Sequence, residues 1–164
     1  PDAATVTDIG SGGHLLLLGD GDFSLARARA AADPGLVVTA TSYDSLADLR
    51  EKYADSIAGN LAALQACGPR VCVAHGVDAT DIAATLPPTL AGGAPITRIE
   101  FRCPHTGSKN VEANRRLLRG FLASGAALMA EKAQCAPTCE LVVTLKTTGK
   151  FNAWAGDLRA RAAE

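Results

Sequence analysis

Four consecutive leucines running into two closely spaced glycines, His14 to Ser24 (HLLLLGDGDFS), leave this chain few ways to fold. An unbroken apolar run has no polar side to offer water. As a strand it must be covered on both faces, which is the situation inside a parallel sheet. Leu25, Ala26, Ala28 and Ala30 open a helical pattern directly afterwards, so the unit reads as strand, tight turn and helix. Gly19 and Gly21 let backbone amides approach a ligand at that turn. In an open α/β sheet the ligand would be nucleotide-like and lie across the carboxyl ends of the strands.

The rest of the chain repeats the alternation. Asp33-Pro34-Gly35 makes a turn, and LVVTATSYD (36 to 44) is the second strand. Asp44 stands 23 positions after Gly21, the spacing at which a carboxylate accepts hydrogen bonds from a ribose diol. The competing reading is that Asp44 or Ser45 caps the next helix. That helix is expected from 46 to 66, with Leu46, Leu49, Tyr53, Ile57, Leu61 and Leu64 facing the sheet and Gly68-Pro69 ending it. RVCVAH (70 to 75) is a third strand, and Asp78 after it either meets an adenine rim or caps a short helix. ITRIEFRC (96 to 103) is the fourth strand, followed by Pro104-His105-Thr106-Gly107 and a helix over about 110 to 130. CELVVTLK (139 to 146) is the fifth strand, and Phe151 to Ala163 is expected to be a last helix with Trp154 packing inward. Strand and helix alternate five times, which predicts a mainly parallel sheet with helices on both faces.

Length fits a single domain over 14 to 164, with 1 to 13 as a polar, Gly-rich leader. No apolar stretch approaches the ~20 residues that span a bilayer, so no membrane role is expected; the chain reads as soluble and intracellular. Five cysteines, an odd number without framework spacing, fit reduced thiols. Cys135 and Cys139 form the one close pair, and without a nearby His no metal site is expected. The net charge of −1 hides an asymmetry: residues 1 to 97 carry 11 acidic and 5 basic groups, residues 98 to 164 carry 6 and 11. An acidic half suits a cationic cofactor and a basic half a polyanion such as RNA.

Seven blocks, GDGDFSLARA, TATSYDS, KYADSIAGNLAAL, HGVDAT, FRCPHTG, NRRLLRGFLASGAALM and LVVTLKTTGKFNAW, stand in an order and at gaps that resemble the Rossmann-like domain of the ribosomal-RNA uracil-N3 methyltransferases. The likeness runs from about Leu15 to Trp154. It implies a class I methyltransferase that uses S-adenosylmethionine to methylate N3 of a uridine in large-subunit ribosomal RNA, in the nucleolus and among pre-ribosome proteins. It also implies that Gly19, Asp20, Gly21, Asp22, Phe23 and Ser24 hold the methionine and ribose portions. Asp44 would then take the ribose diol and Asp78, with Ala79 beside it, the adenine edge. Pro104 and His105 would form the corner that brings substrate to the methyl group. Arg102 and Cys103 depart from the family's more usual Asn and Phe, and Lys150-Phe151 from its Pro-Tyr. The chain ends at Glu164, ahead of the antiparallel hairpin that completes a seven-stranded methyltransferase sheet, so that hairpin is expected to be missing.

Methyl transfer from a sulfonium needs no metal, because the leaving thioether is neutral and the work lies in positioning. Uracil N3 ionises roughly two units above neutral pH, so exposing its anion costs about 3 kcal/mol. His105 is the best candidate base, against the alternative that it only hydrogen-bonds its turn. Arg102, Lys109 and Lys146 are candidates to steady a phosphate or the uracil oxyanion. N3 is engaged within a duplex, so the uridine must be single-stranded or flipped; Phe23, Tyr43 and Phe101 are the aromatics available for stacking. Two other classes compete. A nicotinamide-dependent oxidoreductase would want a third glycine where Ser24 stands and no carboxylates at Asp20 and Asp22. A non-catalytic binding module serving ribosome assembly would keep the fold, with or without the cofactor.

Overall fold

The computed structural model describes residues 12–88, 93–131 and 134–146. The leader up to residue 11, the helix expected over 151 to 163, Trp154 and the Lys150-Phe151 departure lie outside the described residues.

Five strands, β1 (His14–Leu18), β2 (Val37–Ser42), β3 (Val71–His75), β4 (Ile96–Arg102) and β5 (Cys135–Thr144), form one sheet in the order β3-β2-β1-β4-β5. Every neighbouring pair is parallel. The order reverses between β1 and β4, which leaves a crevice at their carboxyl ends where such sheets take ligands. The leucine run sits at the centre for the expected reason. Leu15 and Leu17 pack on one side with Ala26 and Ala30 of α1 (Ser24–Ala32), Leu49 of α2 (Leu46–Lys52) and Ile57 and Leu64 of α3 (Ala54–Gln65). Leu16 and Leu18 pack on the other with Ile82 of α4 (Ile82–Thr85) and Phe121 and Leu128 of α5 (Val111–Ala130). Strand alternation thus splits four adjacent leucines between two cores.

Two expectations need correction. The single helix over 46 to 66 is two helices broken at Tyr53, whose backbone (φ −133°, ψ 38°) is not helical. Tyr53 leaves the expected apolar stripe and is 39% exposed. The fifth strand starts at Cys135 rather than 139. Its ladder with β4 jumps from Ile96 opposite Cys135 to Arg98 opposite Glu140, so two steps on β4 face five on β5. The surplus residues bulge out, and Pro137, which has no N–H to give a ladder, sits within them.

His14 is buried at the start of central β1. Its Nδ1 lies 2.6 Å from the Ala94 carbonyl and its Nε2 2.9 Å from Thr39 Oγ1. A carbonyl only accepts, so Nδ1 donates and Nε2 accepts from the hydroxyl, a neutral ring. Burial lowers its pKa below the ordinary value, and burial does the same at His75. The unfolded chain binds protons there first as pH falls, so this stabilisation is present above about pH 6.5 and is lost as pH drops toward the folded pKa. Thermal melts are expected to move down between pH 7.5 and 5, less so in His14→Gln. The comparison isolates His14 from Asp20, whose raised pKa acts in the opposite sense. Equal slopes in the two proteins would refute this assignment.

Candidate functional site

The site is built from strand tips, beginning at the turn after β1. Gly19 has φ +64°, and a Cβ there would lie 2.6 Å from Cε2 of Phe101 at the end of β4. At Gly21 a Cβ would lie 2.9 Å from the Tyr53 hydroxyl. The turn is therefore squeezed between β4 and the break separating α2 from α3. The Asp20 N–H donates to Thr41 O (2.9 Å), which ties the turn to β2. The Asp20 side chain turns back under α1, where Oδ2 accepts from the Ala26 N–H (2.7 Å). Burial pushes its carboxyl above the usual range, and Asp22 and Glu100 add to that against the opposing amides of Ala26 and Leu25.

Asp22 is held differently. Its carboxylate accepts from Ser24 N–H (3.1 Å) and Ser56 Oγ (2.9 Å). Partial burial works to raise its pKa, but these hydrogen bonds win and hold it below the ordinary value, so it is ionised at neutral pH. Buried Asn60 of α3 donates to Asp22 O (2.8 Å) and accepts from Arg27 (3.1 Å). The glycine turn is thus clamped by α3, 34 and 38 residues away. Phe23 adopts a left-handed backbone (φ 61°) and is fully buried, its ring edge-on to His75 at 5.5 Å.

At the tip of β2, Ser45 caps α2 in a capping box with Asp48, so Asp44 is not spent as a cap. Asp44 pairs with Lys52 (2.8 Å), a solvent-accessible contact worth little. Tyr43 beside it is 69% exposed. At the tip of β3, Asp78 Oδ1 accepts from the Thr80 N–H (2.8 Å) and hydroxyl (2.7 Å), while Asp81 takes the position ahead of α4. At the tip of β4, Cys103 is exposed and left-handed (φ 50°), with its N–H on Thr144 O at 2.8 Å. His105 follows, its Nδ1 accepting from the Gly107 N–H at 2.8 Å.

These tips enclose a cleft of about 830 Å³ that gathers Gly19, Gly21, Asp44, Asp78, Ala79 and His105. A smaller one of about 390 Å³ gathers Gly19, Asp20, Gly21, Asp22, Ser24 and Arg102. Gly19, Gly21, Tyr53 and Cys103 line both, so the two join at the glycine turn. Four candidates from the sequence stand apart. The Phe23 ring is in the core, Pro104 is buried and lines neither cleft, and exposed Lys109 and Lys146 line neither. Phe101 lines the large cleft but is nearly buried, its ring edge-on to Phe121 at 5.3 Å. Sequence reasoning missed Lys52, Tyr53, Thr80 and Arg116, all in the lining of the large cleft. Tyr53 was hidden by its helical spacing, which placed it on the apolar stripe. Among the described residues no group of three His, Cys, Asp or Glu side chains is placed to hold a metal. Cys135 and Cys139 are buried, and burial together with its neighbour pushes the Cys139 thiol up to about 12. No described helix is long and apolar enough to cross a membrane.

Comparison with known proteins gives a family match over residues 16–164, to the BMT5-like family described as rRNA (uridine-N3-)-methyltransferase. No curated protein matches the chain. Among solved structures it is similar to the 16S rRNA methyltransferase KamB, at 20% identity and a TM-score of 0.45, covering 81% of this chain and 52% of that one. The chain therefore spans about half the length of that structure.

Proposed function

Since the chain belongs to the BMT5-like family of rRNA (uridine-N3-)-methyltransferases, we propose that residues 14–164 bind S-adenosylmethionine across the glycine turn and methylate N3 of an unpaired or flipped uridine in large-subunit ribosomal RNA. The observation that carries this reading is the joined cleft. Two glycines whose Cβ would meet Phe101 and Tyr53, one ionised carboxylate and two further acids on successive strand tips line the joined hollow, with His105 in the same lining.

The donor set suits a cationic adenosyl ligand. We assign Asp44, its oxygens not used as a cap, to a ribose diol, and Asp78, through Oδ2, to a base edge. Asp22 beside the turn favours an ammonium or sulfonium and disfavours the pyrophosphate of a nicotinamide cofactor. When bound, the cofactor supplies an electrophilic methyl group on sulfur. The protein's part is to set the uracil in line, exclude water and stabilise the N3 anion. His105 is suited to the last task. Its Nδ1 is occupied by the Gly107 N–H, so the neutral ring carries its proton on Nε2 and presents a donor to a uracil oxygen. On this reading the N3 proton leaves to solvent before attack, as the uracil enters the cleft. Arg116, on the α5 wall of the same cleft, is placed for a phosphate. Nucleolar residence and contacts with pre-ribosome proteins belong to the same proposal.

Calorimetry tests the cofactor half. S-adenosylmethionine and its demethylated product are expected to bind at one site, with Asp44→Ala weakening both about tenfold, the loss of a charge-assisted pair of hydrogen bonds. Binding of a nicotinamide dinucleotide and of neither adenosyl compound would overturn it.

A further inference from the structure

We propose that Asn114 is a positioning residue that sets the orientation and tautomer of His105; its consequence for methyl transfer rests on the reading above. Asn114 lies in the first turns of α5 and is 2% exposed. A buried side-chain amide has two donor and two acceptor positions to satisfy. Here Oδ1 accepts from the Thr106 N–H (2.9 Å) and hydroxyl (3.1 Å), and Nδ2 donates to Ser108 O (3.1 Å) and Asn110 O (3.0 Å). All four contacts fall within the loop that joins β4 to α5, which has no ladder or helix of its own.

The chain of contacts ends at the imidazole. Fixing Thr106 orients the peptide leading into Gly107. With φ +77° that residue aims its N–H at His105 Nδ1, 2.8 Å away. A backbone N–H only donates, so Nδ1 is unprotonated and the neutral ring holds its proton on Nε2. Asn114 is not required to start the helix, because Asn110 caps α5 through the Ala113 N–H (3.1 Å). Its hydrogen bonds serve the loop.

Nitrogen-15 NMR of the imidazoles separates this role from a structural one. In the wild-type chain His105 is expected to show the Nε2–H form. In Asn114→Ala, and in Asn114→Ser, which leaves a smaller hole, the share of that form is expected to fall while buried His14 stays unchanged. Asn114→Asp keeps an acceptor facing Thr106 but turns its second oxygen on the Ser108 and Asn110 carbonyls, and is expected to show the same fall. In the methyl-transfer assay Asn114→Ala is expected to lower kcat about 10- to 100-fold with KM for S-adenosylmethionine within about twofold. An unchanged His105 signature in folded Asn114→Ala and Asn114→Ser would overturn the inference. A wild-type chain that transfers no methyl group would count against the proposed function, with the NMR result still deciding the role of Asn114.

Discussion

Gly19→Ala is expected to destabilise the fold by about 2–5 kcal/mol and to abolish measurable cofactor binding. The left-handed backbone at φ +64° costs an L residue roughly 1–2 kcal/mol. The added Cβ would meet Cε2 of Phe101 at 2.6 Å, and Phe101 cannot swing away because it is 7% exposed and stacked edge-on against buried Phe121. Forcing that pair apart adds an overpacking cost of about 1–3 kcal/mol. Gly59 supplies the control. It lies inside α3 with nothing within 4 Å of a Cβ, so Gly59→Ala is expected to be neutral or to stabilise by up to about 1 kcal/mol. Urea melts of the two variants check the pair; equal effects would remove the argument that Gly19 is held by contact with β4.

His105→Ala is expected to lower methyl transfer about 100-fold while leaving the melting temperature and cofactor affinity unchanged. The side chain is exposed and its Nδ1 bond to Gly107 is local, so the variant is expected to stay folded. The loss would be that of one donor aimed at charge developing on the uracil, typically 10²- to 10³-fold. The pH profile tells donor from base. A donor that stabilises the N3 anion makes the wild-type rate level off at a lower pH than the variant's, so their ratio shrinks as pH rises. A general base works only when unprotonated, so the ratio would grow with pH. Full activity in His105→Ala would remove the residue from the chemistry altogether.

The strands and the cleft at their carboxyl ends were legible because they depend on local pattern. Four leucines in a row admit few placements, and Val37–Ser42 and Ile96–Arg102 match the expected strands within a residue or two. The break at Tyr53 was not legible, because spacing at three and four continues through it; the turn at Gly21, distant in sequence, decides where that ring goes. The early start of β5 was hidden by Pro137, which reads as a boundary unless a bulge absorbs it. Asn60 and Asn114 escaped notice for a related reason. A buried amide that clamps a loop, 38 residues away for Asn60 and eight for Asn114, looks in sequence like any polar helix residue, and only its partners at Asp22 and Thr106 reveal it. Residues whose role is set by side-chain hydrogen bonds to loops are the ones that pattern cannot find.

The buried charges on β4 follow the same logic. Arg98 and Glu100 face the side of the sheet occupied by Leu15 and Leu17. Arg98 meets Glu140 at 2.6 Å and Glu100 meets Arg29 at 3.3 Å. Each is paired, as buried charges must be. Glu100 also contributes to the raised pKa of Asp20, linking this layer to the glycine turn.

The most direct measurement is to incubate the chain with large-subunit ribosomal RNA and methyl-labelled S-adenosylmethionine, digest the RNA to nucleosides and identify the labelled product by mass spectrometry. The account predicts 3-methyluridine, reduced about 100-fold by His105→Ala. Label on any other nucleoside, or none with the wild-type chain while the adenosyl cofactor binds, would contradict it.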